Sequence, residues 1–275
     1  MRRDPPHVKE CAIQRLITAA ILLPLVILFT LKATAFQFSL LIFLIALAGL
    51  DEFYRMTLPT RRGEGRVAAL AGACSVFTVF SGSPIVPLMT FTALVLGFAL
   101  IALFRLKEIP QAAADSALVL MGFLYVPLLL SHLILIRMLP HGIPWLFLIM
   151  VIVMTGDSAA YYVGSSFGKT KLYPAVSPKK SVEGSLGGLA GSVAGAFVAK
   201  AIFFPELTPV DCVATALVLG VLGQLGDLFE SLIKRSCGVK DSGVIFPGHG
   251  GILDRLDSIL FAGPAAFYYA YFLLR

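Results

Sequence analysis

The sequence predicts an all-α protein that crosses a lipid bilayer about nine times. Of the 275 residues, 58% are hydrophobic and only 14% are charged, whereas about a quarter are charged in an ordinary globular domain. The mean hydropathy is +0.89. Uncharged stretches of about 20 residues, the length that a helix needs to cross the hydrocarbon core, recur along the chain. These observations exclude an ordinary soluble domain.

Nine apolar stretches are the predicted membrane spans. In chain order they are 13–31, 33–50, 67–81, 84–104, 116–136, 142–163, 186–204, 210–230 and 256–274. The first two are separated only by Lys32 and are also compatible with one long tilted helix. We divide the chain into residues 1–142, with spans one to five, and residues 143–275, with the last four. The second part contains the predicted cytoplasmic loops 164–185 and 232–255.

The Lys and Arg residues predict the orientation of these spans. With a cytoplasmic N-terminus and the C-terminus on the opposite side, all but four of the 22 basic residues fall in cytoplasmic segments. Cytoplasmic loops of membrane proteins are enriched in Lys and Arg, so the net charge of +6 reflects orientation. Because the loops lack interleaved aromatic residues, nucleic acid is not an expected partner. The four cysteines show no disulfide or zinc spacing.

Acidic residues intrude on three of the predicted spans. Asp157 lies in the sixth span, and Asp254 and Asp257 begin the ninth. The eighth carries a polar stripe at helical spacing, formed by Gln224, Asp227, Glu230, Ser231 and Lys234. Ionisable groups at membrane depth are costly and usually mark function. Carboxylates from neighbouring helices suit Mg²⁺, which predicts a metal site, with a buried ion pair or a carboxylate reaching the interface as the alternative.

Two predicted cytoplasmic loops border these carboxylates. Residues 164–184 and residues 234–257 combine several Lys or Arg with Gly and Ser. Cations and backbone N–H groups in such loops bind phosphate oxygens. We therefore expect a phosphate substrate and a divalent ion to meet at the cytoplasmic interface, with solvated basic loops as the alternative.

Two glycine patterns have structural interpretations. Residues 164–170 read GSSFGKT, with three residues between the glycines where a nucleotide-binding P-loop has four. Gly187, Gly191 and Gly195 recur at every fourth position of the seventh span. Small residues at this spacing are typical of closely packed membrane helices, so we predict helix contact and not nucleotide binding.

The second loop closely resembles a family signature. Residues 231–257 read SLIKRSCGVKDSGVIFPGHGGILDRLD, and they fill every position of the motif S-x-x-K-R-x4-K-D-x-G-x2-x-P-G-H-G-G-x2-D-R-x-D of the phosphatidate cytidylyltransferases, or CDP-diacylglycerol synthases. With a similar upstream run, the resemblance covers residues 156–258. It implies transfer of a cytidylyl group from CTP to phosphatidate, at the cytoplasmic face of a bacterial inner membrane.

The resemblance also implies roles for individual residues. The implied catalytic residues are Asp227, Lys234, Arg235, Asp241, His249 and Asp254. The implied substrate-binding residues are Asp157, Ser177, Lys179, Lys180, Lys240, Arg255 and Asp257. The implied metal ligands are Asp227, Glu230, Ser231 and Asp254. Mg²⁺ is the expected cofactor, with a monovalent cation such as K⁺ as a second candidate. The expected partners are CTP, phosphatidate and the bilayer, and a homodimer is left open.

Two other functions remain alternatives at this point. One is another membrane transferase or kinase that uses CTP or a CDP-lipid, although the D-G-x2-A-R-x8-G-x3-D-x3-D motif of the CDP-alcohol phosphotransferases does not occur in the chain. The other is an ion-coupled transporter, which would have carboxylates near span centres and inverted repeats. The carboxylates here are predicted at the cytoplasmic ends of the last four spans, which favours the enzyme.

Overall fold

The computed structural model describes residues 24–105, 109–245 and 250–273. Residues 24–32 are helical (α1). The further helices are α2 (Ala35–Thr57), α3 (Arg62–Cys74), α4 (Ile85–Arg105), α5 (Ile109–Phe123), α6 (Leu129–Met138), α7 (Gly142–Phe167), α8 (Val182–Ile202), α9 (Pro209–Ser236) and α10 (Leu253–Leu273). A 3-10 helix, Ser75–Ser81, extends α3, and a π-helical turn, Leu124–Leu128, joins α5 to α6. The strands β1 (Lys171–Tyr173) and β2 (Ser177–Ser181) are the only sheet in these ranges.

Within the described ranges, six helices are long and apolar enough to cross a membrane. They are α2, α4, the continuous α5–α6 unit Ile109–Met138, α7, α8 and α9. The predicted third span corresponds to α3 and its 3-10 extension, and the ninth to α10, which carries charged residues in its first turns. Most of the predicted span 13–31 lies outside the described residues. The fold is thus that of a helical membrane protein, and the count of nine spans stays a prediction.

Helix α2 is longer than its apolar stretch. It begins after Thr34, whose side chain and that of Gln37 form a capping box. It ends at Thr57 and not at residue 50, where the predicted span stops. The segment with Asp51 and Glu52 is therefore the last part of a helix and not a loop.

Helix α9 carries the whole polar stripe. It begins with a capping box between Thr208 and Asp211 and has Pro209 in its first turn, where a missing N–H is tolerated. It continues without interruption to Ser236. The prediction that the polar residues 224–234 lie on one helix is therefore confirmed, and the last turn of α9 takes in residues that were assigned to a loop.

Helices α7 and α8 pack closely through glycines. A Cβ atom added at Gly187 would lie 2.6 Å from Val163 Cβ, and one at Gly191 would lie 2.8 Å from the carbonyl oxygen of Thr155. Neither separation is compatible with an undisturbed helix pair. The predicted helix contact along this glycine row is confirmed, and it brings the carboxyl end of α7 next to the first turns of α8.

The hydrophobic core lies where α2, α6, α7, α9 and α10 meet. Fully buried side chains there include Phe53, Ile134, Ile149, Leu219 and Leu260. In α4, by contrast, none of the most apolar window is buried against protein. The core therefore holds together the helix ends at which the acidic residues lie.

Candidate active site

A β-hairpin forms one side of the site. Strands β1 and β2 pair antiparallel, with Lys171 opposite Ser181 and Tyr173 opposite Ser177. The sequence analysis treated this whole segment as a loop between helices. Short hairpins with charged side chains lack the apolar alternation that identifies longer strands, so the sequence carries little signal for them.

Both ends of the hairpin are anchored to helix α8. Ser181 is the N-cap residue of α8, and its hydroxyl accepts a hydrogen bond from the N–H of Gly184 at 3.1 Å. The carboxylate of Glu183 accepts hydrogen bonds from the N–H groups of Lys169, at 3.0 Å, and Thr170, at 3.1 Å. The hairpin is thereby held in a defined position relative to α8.

Lys180 extends from this hairpin to the polar stripe of α9. Its Nζ lies 2.5 Å from Oδ2 of Asp227, and both side chains are 29% exposed. The hydroxyl of Ser231, one turn further along α9, donates to Asp227 Oδ1 at 3.5 Å. Asp157 on α7 lines a small pocket together with Gln224, which belongs to the same polar stripe of α9. Residues from α7, β2 and α9 thus meet at one point.

Lys234 joins the stripe to helix α10. Its Nζ donates to Glu230 Oε2 and to Asp254 Oδ1, each at 2.6 Å. The three side chains are almost completely buried. The second oxygen of Glu230 is also buried, and it has no hydrogen-bond partner among the described residues. One ammonium group therefore faces two carboxylates, and a strong acceptor remains unsatisfied beside them.

Asp254 organises the loop that precedes it. Its Oδ2 accepts hydrogen bonds from the N–H of Ser242 at 2.9 Å, the hydroxyl of Ser242 at 3.0 Å and the N–H of Gly251 at 2.8 Å. Gly250 has a φ of +83°, and a Cβ there would collide with the Asp254 carboxylate. Both carboxylate oxygens of Asp254, a predicted metal ligand, are thus engaged by protein donors.

The structure adds one carboxylate that the sequence analysis missed. Glu52 of α2 is only 3% exposed, and it accepts hydrogen bonds from the hydroxyl of Ser242 and from the N–H groups of Ile252 and Leu253. The available signal was an acidic pair, Asp51 and Glu52, directly after an apolar stretch. Nothing in the local sequence connects that pair with a loop at the other end of the chain.

The centre of the site carries more acidic than basic groups. Its carboxylates are Asp157, Asp227, Glu230, Asp254 and Asp257. Its ion pairs among the described residues are made by Lys180 and Lys234. In that part of the chain, no three His, Cys, Asp or Glu side chains lie close enough together to hold a metal ion as they stand, since a lysine lies between the carboxylates. The donor chemistry, however, is that of a cation site.

The remaining predicted site residues are on the surrounding surface. Arg235 is exposed at the end of α9, where it donates to the carbonyl oxygen of Val239 at 2.9 Å. The other exposed ones are Lys179 on β2, Lys240 and Asp241 in the α9–α10 loop, and Arg255 in the first turn of α10. Ser177, on β2, is half-buried. His249 lies outside the described residues.

Comparison with known proteins identifies the family. A profile of the cytidylyltransferase family matches residues 13–273. A phosphatidate cytidylyltransferase of Bacillus subtilis is 41% identical over 161 residues, which are 58% of this chain and 58% of that one. A protein of the same name from Staphylococcus saprophyticus is 34% identical over 81% of this chain and 85% of its own. Another from Synechocystis is 32% identical over 95% of this chain and 97% of its own.

These matches confirm the resemblance drawn from the motif, and they extend it over the helices that precede the motif. They also favour the transferase over the ion-coupled transporter. The acidic and basic groups described above come from segments that the family profile covers. The chain therefore belongs to the cytidylyltransferase family and is a nucleotidyltransferase.

Proposed function

We propose that this chain transfers a cytidylyl group from CTP to phosphatidate, forming CDP-diacylglycerol and pyrophosphate for phospholipid synthesis. The relatives from three bacteria, which are phosphatidate cytidylyltransferases by name, support this reaction. The observation that carries the proposal is the meeting of Lys180, Asp227, Glu230, Lys234 and Asp254 at the ends of apolar helices. Lys180 and Asp227 are partly exposed at these helix ends, where a lipid headgroup and a soluble nucleotide can both reach them.

The chemistry requires positioning and charge neutralisation more than covalent help. An oxygen of the phosphatidate phosphate attacks the α-phosphorus of CTP, and the bond from that phosphorus to the oxygen of the β-phosphate breaks. Because a phosphate monoester is already ionised at neutral pH, no strong general base is needed. The negative charge that develops on the departing pyrophosphate is neutralised by cations.

Lys180 and Lys234 are suited to neutralising this charge. Each holds an ammonium group against a carboxylate at 2.5–2.6 Å, which fixes its direction before substrate binds. Lys180 is partly exposed, so a phosphate oxygen can reach it while Asp227 stays in contact. We assign Lys179, Arg235, Lys240 and Arg255, which are exposed, to the triphosphate and the lipid phosphate. Asp157, Ser177, Asp241, His249 and Asp257 then orient these groups.

A Mg²⁺ ion fits the donors of this site. Asp227 and Glu230 would hold it, with Ser231 and Asp254 beside them, and a monovalent cation such as K⁺ is a second candidate. Two observations support this assignment: the buried Oε1 of Glu230 has no partner among the described residues, and carboxylates outnumber lysines at the centre of the site. When bound, the ion supplies positive charge to the phosphate oxygens of CTP.

We propose nine membrane spans with a cytoplasmic N-terminus, and a site that faces the cytoplasm at the bacterial inner membrane. The bias of Lys and Arg between alternate loops supports this orientation. CTP is a cytosolic metabolite, so the same orientation gives the site access to it. The homodimer stays a prediction.

The decisive experiment measures product formation by the purified protein in mixed micelles. With CTP, phosphatidate and Mg²⁺ we expect CDP-diacylglycerol and pyrophosphate in equal amounts, and we expect chelation of the metal to stop both. Asp227→Asn should lower the rate about 100-fold or more, because it removes a charge from the centre of the site. The matched control is Asp51→Asn, which removes a carboxylate that pairs with Arg55 on α2.

A folded wild-type protein that makes no product in several detergents and lipids would contradict the proposed reaction. Undiminished turnover after complete metal removal would contradict the Mg²⁺ assignment alone. If Asp227→Asn turns over as fast as the control Asp51→Asn, the site has been placed on the wrong residues.

A further inference from the structure

The base of the α9–α10 loop is held by a carboxylate from helix α2. We define the loop base as Ser242 and Gly243 on the outgoing side and Gly251–Leu253 on the returning side. Glu52 Oε2 accepts hydrogen bonds from the hydroxyl of Ser242 at 3.0 Å and from the N–H of Leu253 at 3.1 Å, and Oε1 accepts from the N–H of Ile252 at 3.0 Å. One carboxylate thus joins both sides of the loop base.

Two glycines of the family motif leave the space that this carboxylate fills. A Cβ atom at Gly243 or at Gly251 would overlap with the carboxylate oxygens of Glu52. Neither glycine has a positive φ, so backbone conformation alone does not require glycine at these positions. The close approach of Glu52 gives a steric reason for both.

Hydrogen bonds connect Glu52 with the proposed reaction centre. The hydroxyl of Ser242 lies 3.0 Å from Glu52 Oε2 and 3.0 Å from Asp254 Oδ2, and it donates its single hydrogen to one of these oxygens at a time. Asp254 in turn pairs with Lys234, which pairs with Glu230. The position of the α2 carboxylate is therefore linked to the position of a buried lysine on α9.

Stability alone is a weak reason for this arrangement. Glu52 is only 3% exposed. The hydrogen-bond partners named above are neutral donors and not cations. A buried charge has a large desolvation cost, and apolar residues of similar volume often stabilise a fold as well or better. The N–H groups at the start of α10 offset part of this cost. The arrangement fixes the loop base in one position, whatever its net effect on stability.

We propose that Glu52 is a positioning residue for nucleotidyl transfer: it fixes the base of the α9–α10 loop so that Asp254, Lys234 and the loop cations face the substrates in one arrangement. This inference rests on the proposed transferase function. Glu52 itself touches neither substrate nor the reacting atoms. Its effect passes through Ser242 and the backbone of the loop base.

The test compares Glu52→Gln with the neighbouring change Asp51→Asn. Gln keeps the shape of Glu but turns an NH₂ group toward one of the donors. We expect kcat to fall about 10-fold to 100-fold, as for other changes beside a site, while most of the protein remains folded. The local readout is the rate of tryptic cleavage after the exposed Lys240, followed by mass spectrometry. That rate should rise at least severalfold in Glu52→Gln and stay at the wild-type value in Asp51→Asn.

A second variant, Ser242→Ala, removes the hydroxyl link without touching α2. We expect it to lower kcat and to speed cleavage after Lys240 in the same direction. In the double variant with Glu52→Gln, the fall in kcat should be smaller than the two single effects combined, because both changes break the same connection. Glu52→Asp, which keeps the charge on a shorter side chain, should retain more activity than Glu52→Gln.

Three outcomes overturn the inference. One is a folded Glu52→Gln protein with the kcat and the cleavage rate of Asp51→Asn. Another is a loss of thermal stability with unchanged kcat per folded molecule, which would show a purely structural role. If Glu52→Gln does not fold, a Ser242→Ala protein that matches wild type in both readouts overturns it as well. If the wild type itself makes no product, the reaction fails, whereas the cleavage rates still report on the loop.

Discussion

Among single residues, Lys234 has the most demanding environment. Its ammonium group is nearly buried and contacts Glu230 and Asp254. Removing one partner of a buried ion pair leaves uncompensated charge and costs about 3–5 kcal/mol. We therefore expect Lys234→Met to lower the free energy of unfolding by about that amount and to abolish cytidylyl transfer. Denaturant unfolding in detergent, together with the transferase assay, measures both effects.

A second substitution separates stability from activity at this position. Adding Glu230→Gln to Lys234→Met removes one of the two stranded charges and should restore part of the stability without restoring activity. Arg66→Met, at an exposed position of α3, is the control and should change neither quantity. Recovery of turnover in the double variant would contradict the role of Lys234 in charge neutralisation.

At the scale of elements, the contact between α7 and α8 places Asp157 and the hairpin beside α9. Gly191→Ala would put a methyl group against the carbonyl oxygen of Thr155 and the side chain of Ala159. We expect it to destabilise the protein by about 1–3 kcal/mol and to lower kcat, because the two helices must move apart. Thermal unfolding and steady-state kinetics provide the measurements.

The matched control for this helix pair is Gly97→Ala in α4. A Cβ atom there meets nothing within 4 Å, so the change should leave activity unaltered and stabilise the helix by up to about 1 kcal/mol. If the two alanine variants have the same stability and the same kcat, α7 and α8 do not pack as closely as described here.

At the scale of the whole molecule, the nine-span arrangement predicts which loops share a side of the membrane. Single cysteines replacing Lys169 and Lys240 in a cysteine-free protein should react with an impermeant reagent only from the cytoplasmic side. A cysteine replacing Glu206, in the exposed turn between α8 and α9, should react only from the other side. Labelling of the first two from opposite sides would break the span count, since each predicted crossing reverses the side.

Much of this fold can be predicted from the sequence, because the sequence patterns that indicate it are local. Apolar length predicts helices that cross a bilayer, and spacing of three and four places Asp227, Glu230 and Lys234 on one face of α9. Both depend on residues within a few turns of each other. The hairpin that carries Lys180 has no such pattern, and it exists because Ser181 and Glu183 anchor its ends to α8.

The sequence by itself determined the class of protein, the polar stripe of α9 and, through the motif of residues 231–257, the family. Only the tertiary structure decided which charges meet. Glu52 lies 190 residues from Ser242 in the chain, yet the two are in hydrogen-bond contact. Likewise, Lys180 meets Asp227 across 47 residues. Such pairs form because buried charges must find partners once the apolar helices have packed, and packing, unlike periodicity, is not encoded in any short stretch of sequence.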